Sequence, residues 1–158
     1  MERVQRIWEH PFYRQCLTRI RELEASRPFC RHTPEHFLDV ARLSWIFALE
    51  EQIPVKRPVI YAAALLHDIG RFRQYEDGIP HDQVSLEIAQ AILPECGFTP
   101  DEISQITGMI ASHRQKGDTD PLHALFYRAD KQSRCCFLCP VCGDCNWPEE
   151  KKNLTVNY

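Results

Sequence analysis

The stretch Tyr61-Ala62-Ala63-Ala64-Leu65-Leu66-His67-Asp68-Ile69-Gly70 decides the fold of this chain. From Val59 to Leu66 every residue is apolar or Tyr, which predicts a helix through the middle of a domain, stopped by Gly70. His67 and Asp68 then place two polar side chains at the end of the most buried helix. Burying a neutral polar group without a partner costs roughly 2–7 kcal/mol, and a bare carboxylate costs more. A bound metal ion would offset that cost.

Length, charge and composition indicate one modest domain. The 158 residues fit a single hydrophobic core, and 44% hydrophobic residues is ordinary for a globular chain. The net charge of -3 is spread without a basic stripe, which disfavours a nucleic-acid polymer as partner. The N-terminal sequence lacks a signal-peptide core, and no apolar run approaches the roughly 20 residues that cross a bilayer. We therefore expect a cytoplasmic protein without membrane association.

Helical periodicity runs along the chain without an alternating strand pattern, so we predict an all-α fold, a compact bundle of about six helices. Residues 1–32 are predicted to be covering helices that break at Pro11. Residues 33–134 form the main helical domain, in which Thr33 and Thr99 are N-caps. Within it, residues 71–80 are predicted to be a polar connection at a substrate rim. Residues 135–158 form a cysteine-rich cap and tail.

Several titratable residues lie where the apolar stripe of a helix would continue. They are His36, His67, Asp68, His81, His113 and Asp130. A single inward histidine is most simply a hydrogen-bonded core residue, but a set made only of His and Asp is hard to explain by packing. Imidazoles and carboxylates together suit first-row divalent metals. Because six ligands are too many for one catalytic ion with open positions, two metals that share a carboxylate would use them all.

These residues resemble the pattern of the HD-domain superfamily of metal-dependent phosphohydrolases. The resemblance extends from about Thr33 to Arg134. It is carried by His36 with Val40-Ala41, by Ala64-Leu65-Leu66-His67-Asp68-Ile69-Gly70-Arg71, and by Arg128-Ala129-Asp130-Lys131. His81 and His113 fit the subgroup with two further histidines and a binuclear site, often di-iron or di-manganese. That subgroup includes hydrolases of cyclic dinucleotides and of symmetrical diadenosine tetraphosphate.

The resemblance also implies a mechanism. Asp68 would bridge two ions, one held also by His36, His67 and Asp130, the other by His81 and His113. Asp68 and His67 would carry catalysis, and a metal-activated water would attack the phosphorus of a small phosphate substrate. Iron or manganese is favoured, and zinc, cobalt, nickel or magnesium are compatible. A Gly-Tyr-Pro signature is missing, since the nearest stretch is Asp77-Gly78-Ile79-Pro80, which argues against cyclic di-GMP as substrate.

Basic residues close to the ligands are candidates for phosphate binding. They are Arg71, Arg73, Arg114, Lys116 and Lys131. Arg71 and Lys131 are the better candidates because each lies beside a predicted ligand, although an ordinary surface charge explains any one of them equally well. For His32 we expect a substrate-rim or surface position. His123, on the same helix face as Asp130, is expected to support that ligand.

A cysteine run follows the last ligand. Cys136, Cys139, Cys142 and Cys145 recur at every third residue, a spacing that loops use to bind zinc or an iron–sulfur cluster. Reduced cysteines packed in a tight cap are the third interpretation. Arg134 precedes the run and is placed to reach substrate.

Three functional classes follow from these observations. The first is a metal-dependent phosphohydrolase acting on a nucleotide or another small phosphate ester. The second is a di-iron oxygenase of the same fold with the same ligand set. The third is a redox- or metal-sensing module that binds a nucleotide and uses the cysteine cap as its sensor. A homodimer is compatible with the charged tail.

Overall fold

The computed structural model describes residues 1–115 and 117–158, and within them the chain is helical without a β-strand. The described α-helices are α1 Glu2–Glu9, α2 Pro11–Leu23, α3 Pro34–Glu50, α4 Arg57–Leu66, α5 Arg71–Asp77, α6 His81–Glu95, α7 Pro100–Ser112 and α8 Pro121–Gln132. Short 3₁₀ turns follow at Cys136–Leu138, Cys142–Asp144 and Glu149–Lys151. The all-α prediction is confirmed, and none of these helices is both long and apolar enough to span a bilayer.

Helix α4 is the centre of the bundle. From Val59 to Leu66 every side chain except that of Tyr61 is buried, and α1, α3, α6 and α7 pack around it. The helix ends at Leu66, earlier than predicted, and the next four residues form a turn that leads into α5. His67 and Asp68 therefore lie on that turn, at the buried end of the central helix.

Gly70 lets this turn approach α6 closely. A Cβ at this position would lie 2.5 Å from the carbonyl oxygen of His81 and 2.6 Å from the backbone nitrogen of Ser85. The Gly70 N–H instead donates to Ser85 Oγ at 2.9 Å. Only glycine fits, and the contact fixes the start of α6, where His81 lies, against the turn that carries Asp68.

The polar connection predicted for residues 71–80 is wrong over its first part. Arg71–Asp77 forms α5, which ends at Gly78 in the left-handed conformation with φ of 73°. This helix packs against α2 and α6. The tertiary contacts stabilise a helix that is too short to form alone, which the local sequence did not reveal.

Capping residues fix the starts of other helices as predicted. The Thr33 side chain accepts a hydrogen bond from the backbone N–H of His36, which sets the first turn of α3. Thr99 and Glu102 form a capping box at the start of α7. Pro11 opens α2 directly after α1 ends, so the predicted break is confirmed.

Candidate metal centre

The carboxylate of Asp68 lies between two groups of histidines. Its Oδ2 atom is 3.1 Å from Nε2 of His67 and 3.8 Å from Nε2 of His36. Its Oδ1 atom is 3.0 Å from Nε2 of His81 and 3.7 Å from Nε2 of His113. Asp68 is 2% exposed, so each of its oxygens faces imidazoles rather than bulk water.

Asp130 completes the first group. Its Oδ1 atom lies 3.5 Å from Nε2 of His36 and 3.6 Å from Nε2 of His67. Ligand atoms of His36, His67, Asp68 and Asp130 all lie within 4.8 Å of one another, and the same holds for Asp68, His81 and His113. The fold thus brings together all the residues that the sequence analysis proposed as ligands, in two groups that share Asp68.

Hydrogen bonds at the other ring nitrogen orient each imidazole. Nδ1 of His67 donates to the carbonyl of Ala64 at 2.8 Å, and Nδ1 of His113 donates to that of Ile110 at 2.5 Å. Nδ1 of His81 donates to Gln74 Oε1 at 2.5 Å, and Nδ1 of His36 donates to Ser133 Oγ at 3.1 Å. These bonds select the tautomer in which Nε2 carries a lone pair. In its neutral form each ring therefore presents an acceptor nitrogen towards the carboxylates, as a metal ligand would.

His32 is a further member of the centre that the sequence analysis placed at the rim or surface. It is 4% exposed, so the surface position is wrong, and its Nε2 lies 3.5 Å from Asp68 Oδ2. Its Nδ1 donates to Glu24 Oε1 at 2.5 Å, and the Tyr75 hydroxyl donates to the same oxygen at 2.6 Å. The sequence did carry a signal, because His32 precedes His36 by four residues. Thr33 caps a helix that begins between them, however, so the two residues are not on one helix.

The carboxylates keep their negative charge although they are buried. Burial would raise the pKa of Asp68, but the charges of His67, His32 and Arg71 outweigh it and hold that pKa well below its usual range. Burial acts likewise on Asp130, where the neighbouring His67 and the charge of Lys131 depress the pKa. The floor of the site is therefore anionic at neutral pH.

Most of the imidazoles with a resolved shift are poor bases. Burial lowers the pKa of His36 to about 3 and that of His81 to about 4. Burial would also lower the pKa of His67, but Asp68 and Asp130 outweigh it and raise that pKa to about 9. His36 and His81 thus offer free lone pairs at neutral pH, whereas at His67 a metal ion would replace a proton.

Two features show that a metal suits this donor set. Among the described residues, the buried Nε2 of His67 has no hydrogen-bond partner of adequate geometry, although carboxylate oxygens lie close to it. Nε2 of His81 and Nε2 of His113 lie 3.1 Å apart, and both rings donate through Nδ1. Two facing lone pairs repel unless a cation or proton lies between them. Divalent cations at both groups would satisfy these atoms.

The centre opens into a cavity of about 230 Å³. Its lining includes Asp68, Asp130 and His32 together with Arg27, Arg71, Lys131, Arg134 and Lys152. Arg71 Nε donates to Asp68 Oδ1 at 3.1 Å and Lys131 Nζ donates to Asp130 Oδ2 at 2.6 Å. An anionic ligand would therefore meet cationic walls above the carboxylate floor.

Other proposed residues lie elsewhere. Arg114 is not among the residues that line the cavity, and it pairs with Asp82 at 2.9 Å. Arg73 pairs with Asp77 in α5. The role expected for His123 is wrong, since its ring packs over Gly108 and contacts Asp118 at 3.1 Å. Lys116 lies outside the described residues.

The cysteine run borders the same cavity. Cys136, Cys139, Cys142 and Cys145 all line the cavity, and Cys30, from the segment before α3, joins them. Trp147 and Phe29 add aromatic surface to the same space. The fold therefore places the cap over the centre, which its position in the sequence after Asp130 suggested.

Comparisons with known proteins agree with this arrangement. The model of the HD-domain family matches residues 33–137. An uncharacterised protein of Clostridium beijerinckii is 41% identical over 158 residues, which is all of both chains. A bifunctional uridylyltransferase/uridylyl-removing enzyme of Gluconobacter oxydans is 33% identical over 57 residues, covering 36% of this chain and 6% of that enzyme. The crystal structure of a predicted HD superfamily hydrolase from an uncultured Thermotogales bacterium superposes with a TM-score of 0.63, at 25% identity, over 91% of this chain and 83% of the other.

Proposed function

This chain belongs to the HD-domain superfamily of metal-dependent hydrolases, and we propose that it hydrolyses a small phosphate ester or anhydride, nucleotides included, at a binuclear His/Asp centre. One observation carries the proposal. The Asp68 carboxylate is shared between two groups of donors, and the centre opens into a cavity with cationic walls. A phosphate group is the ligand that suits both the metals and the walls.

In this proposal His36, His67 and Asp130 would hold one ion, His81 and His113 would hold the other, and Asp68 would contribute to both groups. Imidazole and carboxylate ligands suit iron and manganese. Divalent ions bound in this way lower the pKa of water to near neutrality and neutralise charge on phosphate oxygens.

The chain's own cations then bind the substrate. Arg134 Nη2 donates to Nε2 of His36 at 2.9 Å, which is the lone pair that a metal would take. Because Arg134 also lines the cavity, its guanidinium is placed to bind a phosphate oxygen there. Lys131 forms an ion pair with Asp130 and Arg71 forms one with Asp68, so these cations offset the charge of the carboxylates as well as that of the substrate.

His32 holds a proton at Nδ1, fixed by Glu24, and directs Nε2 towards the floor of the cavity. In this position it accepts a hydrogen bond from a water or hydroxyl that lies near Asp68. Its Nε2 lies near Oδ2 of Asp68, whereas His81 and His113 lie near Oδ1.

Aromatic surface favours a nucleotide as substrate. Trp147 and Phe29 line the cavity, and a nucleobase stacks well on such rings. The partial likeness to an enzyme named for removing uridylyl groups supports the same class, because a uridylyl group is a nucleotide joined through phosphate.

A hydrolysis screen tests the proposal. Protein purified without oxygen and reloaded with Mn²⁺ or Fe²⁺ is incubated with nucleoside mono-, di- and triphosphates, dinucleoside polyphosphates and a chromogenic phosphodiester. We expect metal-dependent release of phosphate or nucleotide that falls roughly 100-fold or more in Asp68→Asn. Arg114→Ala, a cation outside the cavity, is the matched control and should keep full activity. Equal turnover by Asp68→Asn, or none by the loaded wild type on any substrate, would contradict the proposal.

A further inference from the structure

The cysteine run folds into successive tight turns. The N–H of Cys139 donates to the carbonyl of Cys136 at 3.1 Å, that of Cys142 to Cys139 at 3.2 Å, and that of Cys145 to Cys142 at 3.4 Å. A turn closed in this way brings its first and fourth Cα atoms within about 7 Å. Each cysteine is thus folded back next to the following one, and all of them line the same cavity.

The thiols of this run border one cavity, together with Cys30. Burial raises the pKa of the Cys136 thiol, and the neighbouring Cys30, Cys142 and Cys145 add to the rise. All of these cysteines are free of disulfides. Cys136 is buried and Cys139, Cys142 and Cys145 are partly buried, and free thiols grouped in this way on a cavity are the donors that a soft metal or a cluster prefers.

Hydrogen bonds from the C-terminal tail hold the cysteine turns in this position. Asn153 Nδ2 donates to the carbonyls of Lys131 and Arg134, both at 2.8 Å, and the Phe137 N–H donates to Asn153 O at 2.9 Å. Lys152 Nζ donates to Cys142 O at 3.0 Å. The tail thereby ties the cysteine turns to the end of α8, which carries Asp130.

The spacing of the thiols distinguishes two occupants. In a mononuclear zinc site, Zn–S bonds of about 2.3 Å in a tetrahedron set the sulfurs about 3.8 Å apart. Among the described residues, the groups of three or more donors whose atoms all lie within 4.8 Å contain only His and Asp. No three of the described thiols therefore lie as close together as one zinc ion would hold them. An iron–sulfur cluster holds its cysteines farther apart, because each cysteine binds a different iron at the edge of a larger body.

We propose that Cys136, Cys139, Cys142 and Cys145 bind an iron–sulfur cluster of the [4Fe–4S] type in the cavity into which the His/Asp centre opens. The first intervals of the run, C-x2-C-x2-C, are those of bacterial [4Fe–4S] proteins. Arg27, Lys131 and Lys152 line the cavity and offset the negative charge of the thiolates. Binding from a thiol-ligated cluster exchanges four Fe–S bonds, so that each cysteine gives its proton to a departing small thiolate and the iron keeps its oxidation state.

Cluster transfer in the absence of oxygen tests this inference. Wild-type protein is mixed with a [4Fe–4S] cluster ligated by a small thiol, separated by gel filtration, and assayed for iron, acid-labile sulfide and visible absorption. We expect about four sulfides per chain in the wild type. Cys142→Ser and Cys139→Ser should each lose most of the sulfide. Cys135→Ser is the matched control, since Cys135 adjoins Cys136 but is exposed and outside the cavity lining, and it should keep the full amount.

The Asp68→Ala variant distinguishes iron bound in this cluster from iron bound at the His/Asp centre. It should retain all of the sulfide while losing iron that is not bound to sulfide. Circular dichroism of each variant shows that loss of sulfide does not reflect loss of fold. Equimolar zinc without sulfide, unchanged sulfide in Cys142→Ser, or loss of sulfide in Cys30→Ser with retention in Cys139→Ser would overturn the proposed ligand set.

Discussion

Nε2 of His81 lies 3.0 Å from Oδ1 of Asp68, the carboxylate oxygen that also faces His113. The other oxygen belongs to the group of His36 and His67. A substitution on one side should therefore remove one ion and leave the other. His81→Ala is expected to lower the metal content from about two equivalents to about one, because the His36 group is intact. Elemental analysis measures this, and loss of both ions together would show that the groups are not separable.

His32 should act on turnover more than on metal binding. Removing its ring in His32→Ala takes away a group that faces Asp68 Oδ2, whereas the six proposed ligands remain. We expect the metal content to stay the same while kcat falls roughly 10- to 100-fold. Glu24→Gln, which keeps the shape but weakens the hold on Nδ1, should give a smaller fall of the same kind. A proportional loss of metal in His32→Ala would make His32 a ligand.

Gly70→Ala should destabilise the fold at the centre. The added Cβ meets backbone atoms of α6 at 2.5–2.6 Å, which cannot move as a side-chain tip can. We expect a loss of about 1–3 kcal/mol in the free energy of unfolding, together with weaker metal binding as His81 is displaced. Gly143→Ala, where a Cβ meets nothing within 4 Å, is the control and should unfold like the wild type. Denaturant unfolding of the wild type and the two variants measures these free energies.

Glu102 links stability to pH. It accepts from Arg3 at 2.5 Å and Lys56 at 3.1 Å, and the hydrogen bond from Arg3 is the main reason that its pKa lies well below the usual range. Because the folded pKa is lower than the unfolded value of about 4.3, this contribution is complete above pH 4.3 and is lost as the pH falls below it.

Glu102→Gln should therefore lower stability at pH 7 by only about 1–2 kcal/mol, since Arg3 is partly exposed and Lys56 is largely exposed. The difference from wild type should shrink as the pH falls from 5 to 2. Thermal melts across that range measure it, and a difference that is constant with pH would mean that the charge of Glu102 does not stabilise the fold.

Arg134 is expected to bind substrate phosphate. Arg134→Ala should raise KM roughly tenfold with a smaller change in kcat, because the guanidinium contacts His36 and the cavity but supplies none of the proposed ligands. Arg114→Ala removes a cation of the same type outside the cavity and should leave KM unchanged. Steady-state kinetics on the substrate found in the screen compares the two.

The sequence predicted the parts of this fold that follow from local rules. The apolar run before His67, the caps at Thr33 and Thr99 and the break at Pro11 specify helices from their own residues, and the structure has them. The six proposed ligands could be selected because each interrupts an apolar stripe, and a polar residue at such a position needs a partner.

What the sequence could not predict depends on contacts between distant segments. Helix α5 is stabilised by α2 and α6, and His32 becomes buried through Glu24 and Tyr75, which lie on other elements. His123 follows the same helical spacing as Asp130, but Asp118 and Gly108 fix its ring away from the ligands. Helical spacing predicts the face of the helix on which a residue lies, but not how far along the helix axis it lies from the ligands.

Metal content per chain, measured for wild type beside Asp68→Ala after purification without oxygen or added metal, tests the central claim most directly. Acid-labile sulfide is measured on the same samples, so that iron held by the cysteines is counted separately. The account predicts about two equivalents of iron or manganese without sulfide in the wild type and their loss from a variant with unchanged helical content. Retention of that metal in Asp68→Ala would contradict it.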